Sequence, residues 1–371
     1  MPLSFSDSPN PLSSGLPEWY LKSRKSAWDN FLDTPFPQRK DENWRFANLK
    51  KISYENIKDA ENNNEFDYEK YTSNSVSLNG DSEKIIFNND SLSFQSPIDN
   101  DLLAKGFIFK PLSQALIEHG DLIQSYFMKE EPKLGSDKFY RLNQARQKEG
   151  YFVYIPEGLS IPKPIEVFNW ISGKDSAIFP YNLIVSCKGS EVSVAEYVAS
   201  ADDQFGLVCG VSDLIAEDDS KLTYVRTQNL SEKAHSIQLS NVLSHNNSKV
   251  KNFSLNLGCE WLRHESVSRL LGKGANSEMI SVSVPESSQE FDMRTLQLHE
   301  KPSTSSNLLY KNALYDESKT TFAGMIKVKE GAHQTDAYQT CRNLLMSDKC
   351  EANSMPGLEI NADQVKCSHG S

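Results

Sequence analysis

The 371-residue chain has no apolar run approaching the roughly 20 residues that a membrane-spanning helix needs. Its first residues, MPLSFSDSPNPLSSG, lack the basic and then apolar segments of a secretory signal. Cysteines are sparse, at 187, 209, 259, 341, 350 and 367, with no CxxC pair and no dense framework. That usage argues against a disulfide scaffold and for reduced thiols in a cytoplasmic compartment, or in a plastid if the source is eukaryotic. Basic residues are outnumbered by acidic ones, giving a net charge of −11, which argues against nucleic acid or an anionic membrane as partner. GxxxxGK[ST], a helix-opening GxGxxG, HExxH and GxSxG are all missing, so the chain has no ATP site of its own and no carrier for common hydrolase chemistry.

What is present changes character along the chain. Residues 1–15 read as a disordered leader, and 16–150 as an α/β N-terminal region. Within it Tyr20, Leu21, Trp28, Phe31 and Leu32 fall at helical spacing, and TPFPQRK breaks that helix. Trp44 and Phe46 are expected to pack this arm onto the body. The polar run DAENNNEF at 59–66 reads as a linker, whereas VSLNG, KIIFN and LSFQS between 76 and 96 read as short strands. Leu112, Ala115, Leu116, Ile123 and Phe127 restore a helical period over 111–147.

From Tyr151 the sequence becomes alternating, β-branched and aromatic. Segments beginning near Ser190, Ser220, Ser248, Ser277 and Ser318 resemble one another, at separations of 30, 28, 29 and 41, with a sixth at Asp348. Two short strands and two polar corners per repeat predict a parallel β-solenoid over 151–371, with an insertion in the 41-residue interval. The terminal coil of such a fold exposes sheet edges that recruit another strand.

At the end of the chain, Val365, Cys367 and His369 alternate with polar residues, so the thiol and the imidazole share one strand face. Both are metal-ligand types, but two ligands do not fill a tetrahedral shell, and a site shared between subunits fits the deficit. Cys350 reads as a buried corner residue of the last repeat. Cys187, Cys209 and Cys259 read as structural, and Cys341 as pointing into the coil. The cluster EWLRHE (Glu260–Glu265) and the acidic run Asp213–Asp219 read as solvated turns.

The words RKDENWRFANL, TDAYQTCRNLLMSD and PGLEINADQVKCSHG resemble the SufB/SufD family of iron–sulfur cluster assembly proteins, and the CSHG ending is most similar to its SufD branch. The resemblance implies a right-handed parallel β-helix and a non-enzymatic scaffold. It implies a transient iron–sulfur cluster or iron rather than a tightly bound cofactor. The implied partners are a SufB-like paralogue in a heterodimer, or a second copy in a homodimer, and a SufC-like ATPase. It implies that His369 and Cys367 take part in cluster formation at the interface, with Cys350 matching a cluster ligand of the SufB branch. Relatives continue beyond CSHG into a helical domain that docks the ATPase; its absence here predicts weak ATPase binding. The competing reading is a secreted β-helix carbohydrate lyase or hydrolase, supported only by EWLRHE and the acidic run.

Overall fold

A computed structural model describes residues 15–52, 54, 56–62, 66–73 and 82–371. The leader at 1–14, the VSLNG run and part of the 59–66 linker lie outside the described residues.

The core is a flattened parallel β-solenoid of two facing sheets. One contains, in spatial order, Tyr181–Ser186, Gly206–Ala216, His235–Ser244, Trp261–Leu270, Glu290–His299, Lys319–Val328 and Glu351–Ile360. The other contains Ile165–Ile171, Glu191–Ser200, Lys221–Asn229, Lys249–Asn256, Asn276–Ser283, Ser305–Leu314, Asp336–Leu345 and Lys366–Gly370. The chain alternates between them, so each coil contributes one strand to each sheet and hydrogen-bonds to the coils on either side. Earlier strands extend both sheets: Lys84–Asn88 pairs parallel with Ile165–Ile171, and Ile108–Pro111 pairs antiparallel with Gly150–Ile155.

The recurring serines have a physical reason. Ser220 Oγ donates to Glu217 O at 2.7 Å and Ser248 Oγ to His245 O at 2.8 Å, closing corners whose third residues, Asp219 and Asn247, adopt positive φ. Asp and Asn tolerate that left-handed conformation better than most residues. Thr304 and Thr335 make the same bond before Ser305–Leu314 and Asp336–Leu345, at 3.1 and 2.8 Å.

The expected insertion does not exist. Ser190, Ser220 and Ser248 precede strands of one sheet, but Ser318 precedes Lys319–Val328 in the other. The true successor of Asn276 in its own sheet is Ser305, and Glu290–His299 is an ordinary strand inside the supposed insert. The irregular interval reflects a step from one sheet to the other.

The two sheets differ in what lies outside them. Helices Glu18–Asp33, Leu112–Tyr126 and Asp137–Arg146 pack on the outer face of the first, joining Tyr20, Trp28, Phe31, Leu116, Phe139 and Leu142 to Leu183, Val211, Ile237 and Leu239 in one core. We call this the covered sheet. Its strands Gly206–Ala216 and His235–Ser244 are buried at every position. The other, bare sheet alternates exposed and buried residues, as in Lys249–Asn256. Its inward residues meet the covered sheet in a closed lumen.

Candidate functional site

The last coil is where the fold leaves work undone. Glu351–Ile360 pairs only with Lys319–Val328, and Lys366–Gly370 only with Asp336–Thr340, so among the described residues each has one unpaired edge. Large apolar side chains collect there: Tyr338, Leu344, Leu345, Met346, Leu358 and Ile360 are all exposed. An unpaired edge flanked by exposed apolar groups is a template for another chain. Three consecutive apolar residues, Leu344 to Met346, cannot all face inward on a strand, and that was the signal available in the sequence.

Cys367 and His369 sit on this coil and share a face, as their spacing predicted. Their ladder partners Ala337 and Gln339 are buried lumen residues, so the pair occupies the same inward track one coil further on. Among the described residues no strand stacks beyond them. His369 is therefore exposed, and Cys367 is half-buried against Val328, Ala332 and Ala337. Partial burial, with Asp336 nearby, pushes the Cys367 thiol pKa up. A metal binding there must displace the proton, which favours capture once further ligands have arrived.

Cys350 stands apart. It occupies the corner equivalent to Ser318, and its Sγ lies 3.2 Å from Leu314 O and 3.5 Å from Asp316 O. Gln339, the ladder partner of His369, donates to Gly357 O, which sets the level of the imidazole seven residues along the strand from Cys350. At about 3.3 Å per residue this separates Cys350 from His369 by roughly 20 Å or more. No group of three or more His, Cys, Asp or Glu residues suited to a metal occurs among the described residues. The last coil thus carries two neighbouring side chains of metal-ligand type, Cys367 and His369.

Of the remaining cysteines, Cys187, Cys209, Cys259 and Cys341 are buried, as read from the sequence. Burial pushes the thiols of Cys187 and Cys341 up to about 11 and raises those of Cys209 and Cys259 further.

Two expectations fail. EWLRHE is not a solvated turn: Trp261–Leu270 is a strand of the covered sheet, and Arg263 and Glu265 on its outer face are buried beneath the N-terminal arm. Arg263 donates to Glu265 Oε1 at 2.7 Å, Asp292 Oδ2 at 2.6 Å and the carbonyls of Asn43 and Leu134. The acidic run 213–219 is not one loop either. Asp213 is buried in a strand, accepting from Tyr181 Oη and Asn241 Nδ2, each at 2.8 Å. These placements bury Asp213, Arg263, His264 and Glu265, four of the residues on which the carbohydrate-enzyme reading rested. Trp44 packs as expected, but Phe46 is 48 % exposed.

Two family descriptions match nearly the whole sequence. The SufBD protein N-terminal region matches residues 5–167, and the SufBD core domain of SUF-system FeS cluster assembly matches residues 169–371. The chain belongs to the SufBD family. It is 25 % identical over 366 residues to the iron–sulfur cluster assembly protein SufD of Bacillus subtilis, covering 95 % of this chain and 81 % of that protein. A SufBD family protein of Staphylococcus saprophyticus is 24 % identical, over 95 % of this chain and 77 % of its own length. One from Porphyra purpurea is 28 % identical over 76 % of this chain and 59 % of its own length. Among the described residues no helix is long and apolar enough to cross a membrane.

Proposed function

We propose that the chain is a SufD-like scaffold subunit of iron–sulfur cluster assembly. It pairs through its last coil with a SufB-like paralogue, or with a second copy of itself, and an associated SufC-like ATPase supplies the energy. The nascent cluster is substrate rather than resident cofactor. His369 and Cys367 supply two ligands to it, and the partner supplies the rest.

The observation that carries this reading is the position of that pair on the terminal coil, unsealed, beside two unpaired sheet edges and a run of exposed apolar side chains. A borderline imidazole and a soft thiol suit iron in sulfur-rich surroundings. Cys350 is too distant to join them within one subunit.

The test is anaerobic co-expression with the SufB-like paralogue, reading visible cluster absorption against recovered heterodimer. His369→Ala is expected to lower absorption per heterodimer several-fold, Cys367→Ala to lower it less, and Cys350→Ala to leave it unchanged. Full absorption in the His369→Ala, Cys367→Ala double variant would remove the proposed ligand role.

A further inference from the structure

The lumen holds a buried cation without hydrogen bonds. Arg226 is 2 % exposed, and none of its three guanidinium nitrogens has a hydrogen-bond partner among the described residues. Its nearest carboxylate, Glu196, is already engaged by Asn169 Nδ2 at 2.7 Å, by Asn182 Nδ2 at 3.0 Å and by Tyr224 Oη. The approach from Arg226 Nε to Glu196 Oε2 is 3.8 Å, an attraction between charges but not a hydrogen bond.

A second unsatisfied group faces the same space. His264 is 4 % exposed, and neither ring nitrogen has a partner among the described residues. Asn252 Nδ2 donates to Ser266 Oγ across the lumen at 3.3 Å. The facing strands run in opposite directions, so two residues further on Ser254 faces His264. Ser254 is also the ladder neighbour of Arg226. The guanidinium and the imidazole therefore lie on adjacent coils, turned towards each other across the lumen. Burial, with the Arg226 charge second, holds the His264 pKa down to about 3, which is independent support for their proximity.

Leaving a guanidinium unbonded in the interior is strongly unfavourable. Five guanidinium N–H groups and one imidazole N–H outnumber the unpartnered acceptors beside them, which are Tyr151 Oη, Asn182 Oδ1 and the second imidazole nitrogen. A water molecule accepts about two hydrogen bonds and then needs acceptors for its own protons, whereas a spherical anion accepts from every side.

We infer that the lumen between Arg226 and His264 is a binding site for a small monovalent anion of halide size. It is separate from the terminal coil and does not depend on the scaffold reading.

Crystals of the full chain grown in sodium bromide, with data at the bromine absorption edge, test this directly. An anomalous peak within hydrogen-bond distance of both residues is expected. Water density without anomalous signal would overturn the site, and the wild-type map decides this without any variant. In solution, the wild-type melting temperature should rise saturably, on the order of 2 °C, when bromide replaces fluoride at constant ionic strength. Arg226→Met should abolish that response. An equal response in wild type and variant would reduce bromide to a general salt effect and count against the site. Should Arg226→Met not fold, His264→Phe takes its place with the same readouts.

Discussion

The Arg263 guanidinium lies over the Trp44 indole, its central carbon 4.2 Å from the ring centroid, and so joins the N-terminal arm to the middle of the solenoid. On the far side of the arm Trp44 Nε1 donates to Gly135 O at 2.7 Å, and its ring stacks on Trp261 with centroids 6.3 Å apart. Below, Arg263 binds Asp292, which also accepts from Arg294 at 2.7 Å, while Glu265 accepts from Ser136 Oγ at 2.5 Å. Every member of this network lies between the arm and the covered sheet, so the arm is held by polar bonds that water cannot replace.

Removing one partner from such a network strands the others. Arg263→Ala leaves Glu265 and Asp292 buried without their shared cation and is expected to destabilise the chain by about 3–5 kcal/mol. Trp44→Ala costs a similar amount through lost aromatic burial. A double-mutant cycle between the two should show coupling of about 1–2 kcal/mol in urea unfolding. Coupling near zero would mean that the stacked geometry carries no energy of its own.

Buried titratable groups give the stability curve two opposing slopes. His299 is held neutral in the lumen between Thr304 Oγ1 and Ser306 Oγ, each at 2.8 Å, and burial lowers its pKa to about 4. Below about pH 6.5 the unfolded chain binds a proton that the folded chain refuses. Stability therefore falls on acidification towards pH 4, by about 1.4 kcal/mol per pH unit for this group. Glu149 runs the other way. Burial raises its carboxyl to about 7 despite hydrogen bonds from Ser113, so its contribution is complete at low pH and is lost as pH rises through 7. His299→Gln should flatten the acid limb and Glu149→Gln the limb between pH 4.5 and 7, as read from urea midpoints at stepped pH.

Thiol accessibility separates the cysteines without reference to function. Cys350 and Cys367 are half-buried, and the other four are buried. Native chain treated with iodoacetamide at pH 8 should be alkylated at those two positions within minutes, and at all six only after unfolding, as mapped by peptide mass spectrometry. Rapid native labelling of Cys209 would show that the helical cover opens.

The solenoid was legible because its corners are chemical: a hydroxyl bonding back three residues and an Asp or Asn in the left-handed region leave Ser, Asn and Asp at regular intervals. The sheet to which each corner belonged was not legible, because both sheets have similar corners. EWLRHE misled for a related reason. A charged strand reads as solvated unless something covers it, and the cover comes from Trp44 and Gly135, over 100 residues earlier. A hint existed in the strands themselves: GLVCGVSDLIA is nearly continuous in apolar and small residues, as a strand buried on both faces should be, whereas KVKNFSLN alternates. At the terminal coil the shared face of Cys367 and His369 followed from a two-residue period. The distance to Cys350 did not, since it depends on the path around a coil.

The terminal coil also yields a prediction about assembly. Leu358 and Ile360 lie on the inward track of the last covered-sheet strand, at 36 % and 41 % exposure, since among the described residues no further strand stacks on them. A partner strand docking on that edge would bury both, each worth about 1 kcal/mol, and would exclude water from the neighbouring Cys367 and His369. Lysine at these positions replaces that gain with the cost of desolvating charge, while a solvated edge tolerates it. Leu358→Lys with Ile360→Lys is therefore expected to leave the melting temperature of the isolated chain unchanged and to weaken the proposed association with a SufB-like paralogue, or with a second copy, by about tenfold or more in sedimentation equilibrium. Undiminished association would place the interface elsewhere, whereas a large fall in melting temperature would mean that these side chains already serve the core of a single subunit.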